Sequence, residues 1–221
     1  MSKTVLVVCA HPDDETLGCG GAIARHVADG DKVLAMMFTT GLRSRGGATD
    51  EGIDRRHCHA TDAAHTLGFT WYARYDMPDN RMDTVPLLDV VKHVEEAIDD
   101  LKPELVYTHH GGDLNIDHRT VSKAVDTATR GLPEQIVCEV REMEVPSSTE
   151  FGREIFEPNL FVRLADEEIQ VKVAALNCYA DETRGWPHPR SARGVEVLAM
   201  YRGMCCGCSI AEAFNVVRRR L

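Results

Sequence analysis

The run Thr4-Val5-Leu6-Val7-Val8-Cys9-Ala10 is apolar and rich in β-branched residues, and it stops on His11-Pro12-Asp13-Asp14-Glu15. Such a run reads as a strand buried on both faces. A glycine-rich helix start, Gly18-Cys19-Gly20-Gly21, follows at once. The imidazole and the three carboxylates therefore fall at the carboxyl end of a strand, the edge where open α/β sheets hold their ligands. Acidic side chains crowded there repel one another unless a cation compensates them, which points to a metal site.

Strands and helices continue to alternate down the chain. Residues 17–29, 51–67, 84–101 and 119–130 read as helices, the first two closed by Gly30 and Gly68. Residues 32–39, 69–75 and 105–108 read as strands. Alternation of this kind implies a parallel sheet with right-handed crossovers. The expected fold is α/β: a Rossmann-like, doubly wound, mainly parallel sheet of order 3-2-1-4-5, with a C-terminal lobe closing over the site. The 221 residues suit a single domain, with a core over 1–132 and the lobe over 133–221. In the lobe, 134–145 and 159–164 read as strands and 167–179 and 195–202 as helices, while Arg218-Arg219-Arg220 reads as a solvated tail.

Acidic residues outnumber basic ones, 35 to 25, and the net charge of −10 argues against nonspecific binding to nucleic acid. No run approaches membrane-spanning length, and the N-terminus carries no basic region followed by a long apolar one. A cytoplasmic protein with a small-molecule partner, no nucleic acid and no membrane segment is expected, with homo-oligomerisation left open. Its eight cysteines are expected to be reduced. Cys205-Cys206-Gly207-Cys208 lacks the second ligand pair of a zinc knuckle and reads as a glycine turn flanked by small residues.

The strand at 105–108 runs into a second polar cluster, His109-His110-Gly111-Gly112-Asp113-Leu114-Asn115-Ile116-Asp117-His118. In a 3-2-1-4-5 sheet, strands one and four are neighbours at the switch point, and the loops that follow them enclose a crevice. The two clusters should face each other there. A catalytic divalent ion needs about three protein ligands and an open position. Hydrolysis also needs an unligated base. Asp13 and Asp14 point in different directions on one turn, so one can bind metal while the other faces water; spacing alone does not say which.

Ala10-His11-Pro12-Asp13-Asp14-Glu15 with the later Asp117-His118 pair resembles the PIG-L/LmbE-like family of zinc-dependent N-acetylglucosaminyl deacetylases. The resemblance spans nearly the whole chain, through Arg56, Leu67-Gly68, Pro78-Asp79, Pro187-His188-Pro189-Arg190-Ser191, Tyr201-Arg202-Gly203 and Ala211-Glu212-Ala213-Phe214. It implies His11, Asp14 and His118 as ligands of Zn2+, with Fe2+, Mn2+ or Co2+ as substitutes. It implies Asp13 as general base on the attacking water, and Asp117 as a residue orienting an imidazole. Arg56 and Arg190 become candidates to contact a polar or anionic part of an acetylated sugar conjugate. Many members carry His-Pro-Asp-His, whose first histidine stabilises the oxyanion; here that position is Asn115, which donates a hydrogen bond but delivers no proton. The leaving amine must then take its proton from Asp13 after protonation, or from His109, His110 or His188, which are also candidate substrate contacts.

Other readings remain. Arg43 and Arg45 either clamp an anionic group or belong to a solvated loop. His26, His57, His59, His65 and His93 read as ordinary polar residues on helices. A dinucleotide-binding dehydrogenase is disfavoured, since Gly18-Cys19-Gly20-Gly21-Ala22-Ile23 misses the third glycine of the fingerprint and the acidic residues would repel a pyrophosphate. A non-haem iron enzyme shares the two-histidine, one-carboxylate set. That reading, or a different amide hydrolase on the same scaffold, is the alternative to an N-deacetylase.

Overall fold

The computed structural model describes residues 2–44, 46 and 48–220; Arg45 lies outside the described residues. The apolar opening run forms β1 (Thr4–Cys9), whose side chains alternate between two cores. Val5, Val7 and Cys9 face one layer of helices: α1 (Asp14–Ala28), α2 (Asp50–Leu67), α5 (Asp166–Cys178) and α6 (Ala192–Cys206). Leu6 and Val8 face the other: α3 (Leu87–Leu101) and α4 (Ile116–Ala128). A strand apolar on both sides is what a sheet covered on both faces requires.

The remaining strands are β2 (Lys32–Met37), β3 (Thr70–Arg74), β4 (Leu105–His109), β5 (Glu139–Met143), β6 (Leu160–Arg163) and β7 (Ala211–Arg219). They form a single sheet of order β3-β2-β1-β4-β5-β7-β6. The five strands expected as 3-2-1-4-5 are present in that order and are mutually parallel. The sheet then continues through β7 and β6, both antiparallel to their neighbours. The C-terminal residues thus extend the sheet as well as supplying the segments 144–149 and 182–190 near its carboxyl edge.

The tail reading of Arg218-Arg219-Arg220 is corrected. Arg218 and Arg219 end β7, paired with Val140 and Glu139 of β5. Arg218 donates to the Thr129 carbonyl, Arg219 Nε lies 3.3 Å from Glu139, and Arg220 donates to the Gln135 carbonyl. The pairing is tertiary, and the buried Glu212 near the start of the strand hides it from a hydrophobicity pattern.

Glu212 is buried for a reason. Helix α1 begins at the acidic motif and breaks at Cys19, whose φ of −145° is not helical. The break leaves backbone groups without intrahelical partners. Glu212 accepts from the N–H groups of Gly21 and Ala22 at 2.9 and 2.7 Å, and Lys172 Nζ donates to the Leu17 carbonyl at 2.8 Å. The two side chains meet at 2.6 Å. Close packing also explains the glycines: a Cβ on Gly18 would lie 2.5 Å from Met143 Sδ, and one on Gly21 2.4 Å from Leu164 Cδ1.

Glu212→Ala should therefore strand Lys172 and two N–H groups in the core. The expected loss is about 3–5 kcal/mol of unfolding free energy by urea denaturation, typical of half a buried ion pair. A loss below about 1 kcal/mol would show that the pair does not brace the helix.

Candidate metal centre and its cavity

Parallel pairing sets β1 beside β4, with Val5 opposite Leu105 and Val7 opposite Tyr107. The loops leaving the two strands consequently meet. From the first come His11 and Asp14; from the second, through the N-terminal turn of α4, comes His118. His11 Nδ1 lies 3.2 Å from His118 Nε2 and 3.3 Å from Asp14 Oδ2, and His118 Nε2 lies 3.4 Å from Asp14 Oδ2. All three residues are buried. Two nitrogens and an oxygen at these spacings match the edges, about 3.3–3.4 Å, of a tetrahedron with bonds of about 2.0–2.1 Å. Asp14 Oδ1 is buried with no partner among the described residues, which fits a carboxylate awaiting a cation.

The outer nitrogens of both imidazoles meet carboxylates. His11 Nε2 donates to Asp117 Oδ2 at 3.0 Å, with Asp79 Oδ1 behind it at 3.5 Å. His118 Nδ1 faces Asp113 Oδ1 at 3.1 Å. A proton held on the outer nitrogen leaves the inner lone pair directed at the ion site. Asp117 thus contacts His11 rather than its sequence neighbour His118, and itself accepts from the N–H groups of Asn80 and Met82. Asp113 accepts from Ser148, Thr149 and the Asn115 N–H.

Electrostatics follow from burial and pairing. Burial opposes protonation of His11 and His118, yet hydrogen bonds and charges from Asp117 and Asp14, and from Asp14 and Asp113 respectively, raise both above the ordinary imidazole range. Burial likewise opposes ionisation of Asp14, but His118, His109 and His11 hold its carboxyl well below the usual value. The cluster is electrostatically prepared for positive charge at its centre.

Asp13 is turned another way. Its backbone is left-handed, with φ of 99° and ψ of −23°, a conformation that costs a non-glycine residue about 1 kcal/mol. Its N–H donates to Glu15 Oε2 at 3.1 Å, and its Oδ2 accepts from Arg190 Nη1 at 3.2 Å. Burial pushes its carboxyl up to about 6 against the pull of Arg190.

Asp13 lines a cavity together with His11, Arg56, Asn115 and Arg190. Asp79, Asn80 and Glu182 line the same space. Asn115 caps α4 by accepting from the Asp117 N–H at 2.8 Å, and its Nδ2 donates to Asn80 Oδ1 at 3.2 Å. The structure thus brings Asp13, Asn115, Arg56, Arg190 and His11 together.

His109, His110 and His188 are not on that cavity wall. His109 is fully buried; its Nε2 accepts from the Ala10 N–H at 2.9 Å and its ring stacks on His118 at 4.0 Å. Burial, with His118 beside it, depresses His109 to about 3, so it is neutral. His110 pairs with Glu142 at 3.1 Å, and His188 Nδ1 accepts from the Arg190 N–H. None of the five helical histidines lines the cavity either. Arg43 is exposed and pairs with Asp76. Cys205, Cys206 and Cys208 are free thiols, and Gly207 closes α6 with a left-handed φ of 78°.

Sequence reasoning assigned no role to Asp79, Asp113 or Glu182. The first two sit inside motifs already quoted, where a carboxylate near a ligating imidazole was a usable signal. Glu182 carries no local signal: it lies in the turn after α5 and reaches the cavity only through the fold.

The comparisons agree with this architecture. Residues 6–129 match the model of the PIG-L family, GlcNAc-PI de-N-acetylase. The chain is 32% identical over 179 residues to the uncharacterized deacetylase YaiS of Escherichia coli, covering 79% of this chain and 89% of that protein. The chain belongs to the PIG-L family. Among solved structures, GalB, the 4-carboxy-2-hydroxymuconate hydratase of Pseudomonas putida, superposes with a TM-score of 0.81 at 23% identity, covering 99% of this chain and 98% of its own. The N,N'-diacetylchitobiose deacetylase of Pyrococcus horikoshii gives 0.77 at 18% identity, covering 98% and 84%. At these identities the two structures share the fold. No helix among the described residues is long and apolar enough to cross a membrane.

Asp113→Asn should weaken divalent-ion affinity about 10–100-fold, the usual effect of losing a carboxylate behind a ligating histidine. Competition against a chromogenic chelator measures it. Unchanged affinity would remove Asp113 from the support of His118.

Proposed function

We propose that this protein is a metal-dependent N-deacetylase that hydrolyses the acetamido group of an N-acetylglucosamine-type sugar conjugate. The observation that carries the reading is that His11 belongs both to the ligand triangle with Asp14 and His118 and to the cavity that Asp13 lines. Membership of a de-N-acetylase family supports the same chemistry.

His11, Asp14 and His118 would hold the ion, zinc or one of its substitutes. Bound there, a divalent cation lowers the pKa of water and polarises a carbonyl. Asp13 takes a proton from the attacking water as its oxygen bonds to the acetyl carbon. A carboxyl near 6 suits this, being ionised at neutral pH yet basic enough to accept. Asn115 Nδ2 has two N–H groups, one committed to Asn80; the other is the donor we assign to the developing oxyanion. When the C–N bond breaks, the amine needs a proton. Of the candidate donors Asp13, His109, His110 and His188, only Asp13 lines the cavity, so the proposal gives it both transfers.

Purified protein loaded with zinc should release acetate from N-acetylglucosamine conjugates. Asp13→Asn should retain the ion while turnover falls about 10²–10⁴-fold. Loss of the ion would mean that Asp13 and Asp14 exchange roles. An Asp13 carboxyl raised toward 6 must lose its proton to act, so kcat/KM should fall as pH drops through about 6, or lower once a cation stabilises the carboxylate. That acidic limb should vanish in Asp13→Asn. A limb that persists would assign the base elsewhere.

A further inference from the structure

The two arginines of the cavity are paired with protein carboxylates. Glu182, only 3% exposed, accepts a hydrogen bond from Arg56 Nη2, and its other oxygen lies 3.9 Å from Arg190 Nη1. Arg190 Nη1 also donates to Asp13 at 3.2 Å. With Asp79, the described residues of the wall carry two guanidiniums against three carboxylates. Beneath it Asp14, Asp113 and Asp117 outnumber the two charges of a divalent ion. An anionic group entering here meets these carboxylates, and to pair with a guanidinium in full it would have to displace Glu182 from Arg56, or Asp13 and Glu182 from Arg190.

What remains on Arg56 suits an uncharged acceptor. Its Nε and Nη1 are buried with no partner among the described residues. Such donors need an oxygen atom, and with the side chain's charge met by Glu182, a hydroxyl or ether oxygen of a neutral sugar satisfies them without adding charge.

We propose that Glu182 is a specificity-determining residue: by holding Arg56 and Arg190 it tunes the cavity for an uncharged N-acetylhexosamine and against one bearing phosphate or carboxylate beside the scissile amide. This rests on the N-deacetylase reading and narrows it. It also changes the role of the arginines, from clamps for an anion to donors held in place by a buried carboxylate.

A matched pair of sugars tests it: methyl N-acetyl-α-glucosaminide, which is neutral, and N-acetyl-α-glucosamine 1-phosphate, with acetate release measured on zinc-loaded protein. The wild type should favour the neutral sugar by about tenfold or more in kcat/KM. Glu182→Gln should shift the ratio toward the phosphate by about tenfold, chiefly through its KM, whereas Glu182→Asp should keep the wild-type preference. A wild type that prefers the phosphate overturns the proposal whatever the variants do, and so does a Glu182→Gln protein with an unchanged ratio. Should Glu182→Gln fail to fold, the wild-type ratio decides. Should neither sugar release acetate, the N-deacetylase reading falls for this pair, and calorimetric binding of the same two sugars decides the inference: tighter binding of the phosphate contradicts it.

Discussion

His11 Nδ1, Asp14 Oδ2 and His118 Nε2 stand within 3.2–3.4 Å of one another at the joint carboxyl ends of β1 and β4. Burying a carboxylate among further carboxylates is costly unless positive charge and hydrogen bonds compensate it. Here the compensation is built outward in layers. Asp117 and Asp113 hydrogen-bond or face the imidazoles, backbone N–H groups and hydroxyls hold those carboxylates, and the three inner atoms are spaced as the ligands of a cation would be. An ion held by residues that follow strands far apart in sequence would also tie its binding to folding, because the unfolded chain holds no such site.

The division of labour between two adjacent aspartates is a backbone effect. Left-handed φ at Asp13 aims its carboxylate into the cavity while Asp14 begins α1 and points at the imidazoles. Glu15 steadies this turn from below. It accepts from the Asp13 N–H, from Thr16 and from Tyr179 at the end of α5, and burial pushes its carboxyl up to about 7. The C-terminal part of the chain therefore reaches the motif twice, through Tyr179 beneath Glu15 and through Arg190 above Asp13. Glu212 and Lys172 do the same for the break in the helix that follows.

Much of this was legible in the sequence because it is local. The apolar β1 run, the alternation of strands with helices, and the two polar clusters follow from residue patterns that act over a few positions, and the order of the first five strands is one that doubly wound sheets adopt. What escaped reading depends on contacts between distant residues. Strand β7 carries Glu212 near its start and arginines at its end, so no alternation marks it; its pairing with β5 and β6 defines it. Glu182 and Asp79 become part of the cavity only when their turns are folded against it. The same holds for the histidines: His109 and His110 follow β4 directly, yet one is packed under His118 and the other turns to Glu142. Arg56 and Arg190 were legible as cavity residues, but not as partners of one carboxylate.

X-ray absorption at the metal edge of zinc-loaded protein tests the centre most directly, since nitrogen and oxygen ligands are distinguished there from sulfur. The account predicts a first shell of nitrogen and oxygen only, at about 2.0–2.1 Å, with outer-shell scattering from two imidazoles. A sulfur shell at about 2.3 Å would place the ion on the protein's cysteines, and a first shell without imidazole would contradict the His11–Asp14–His118 centre.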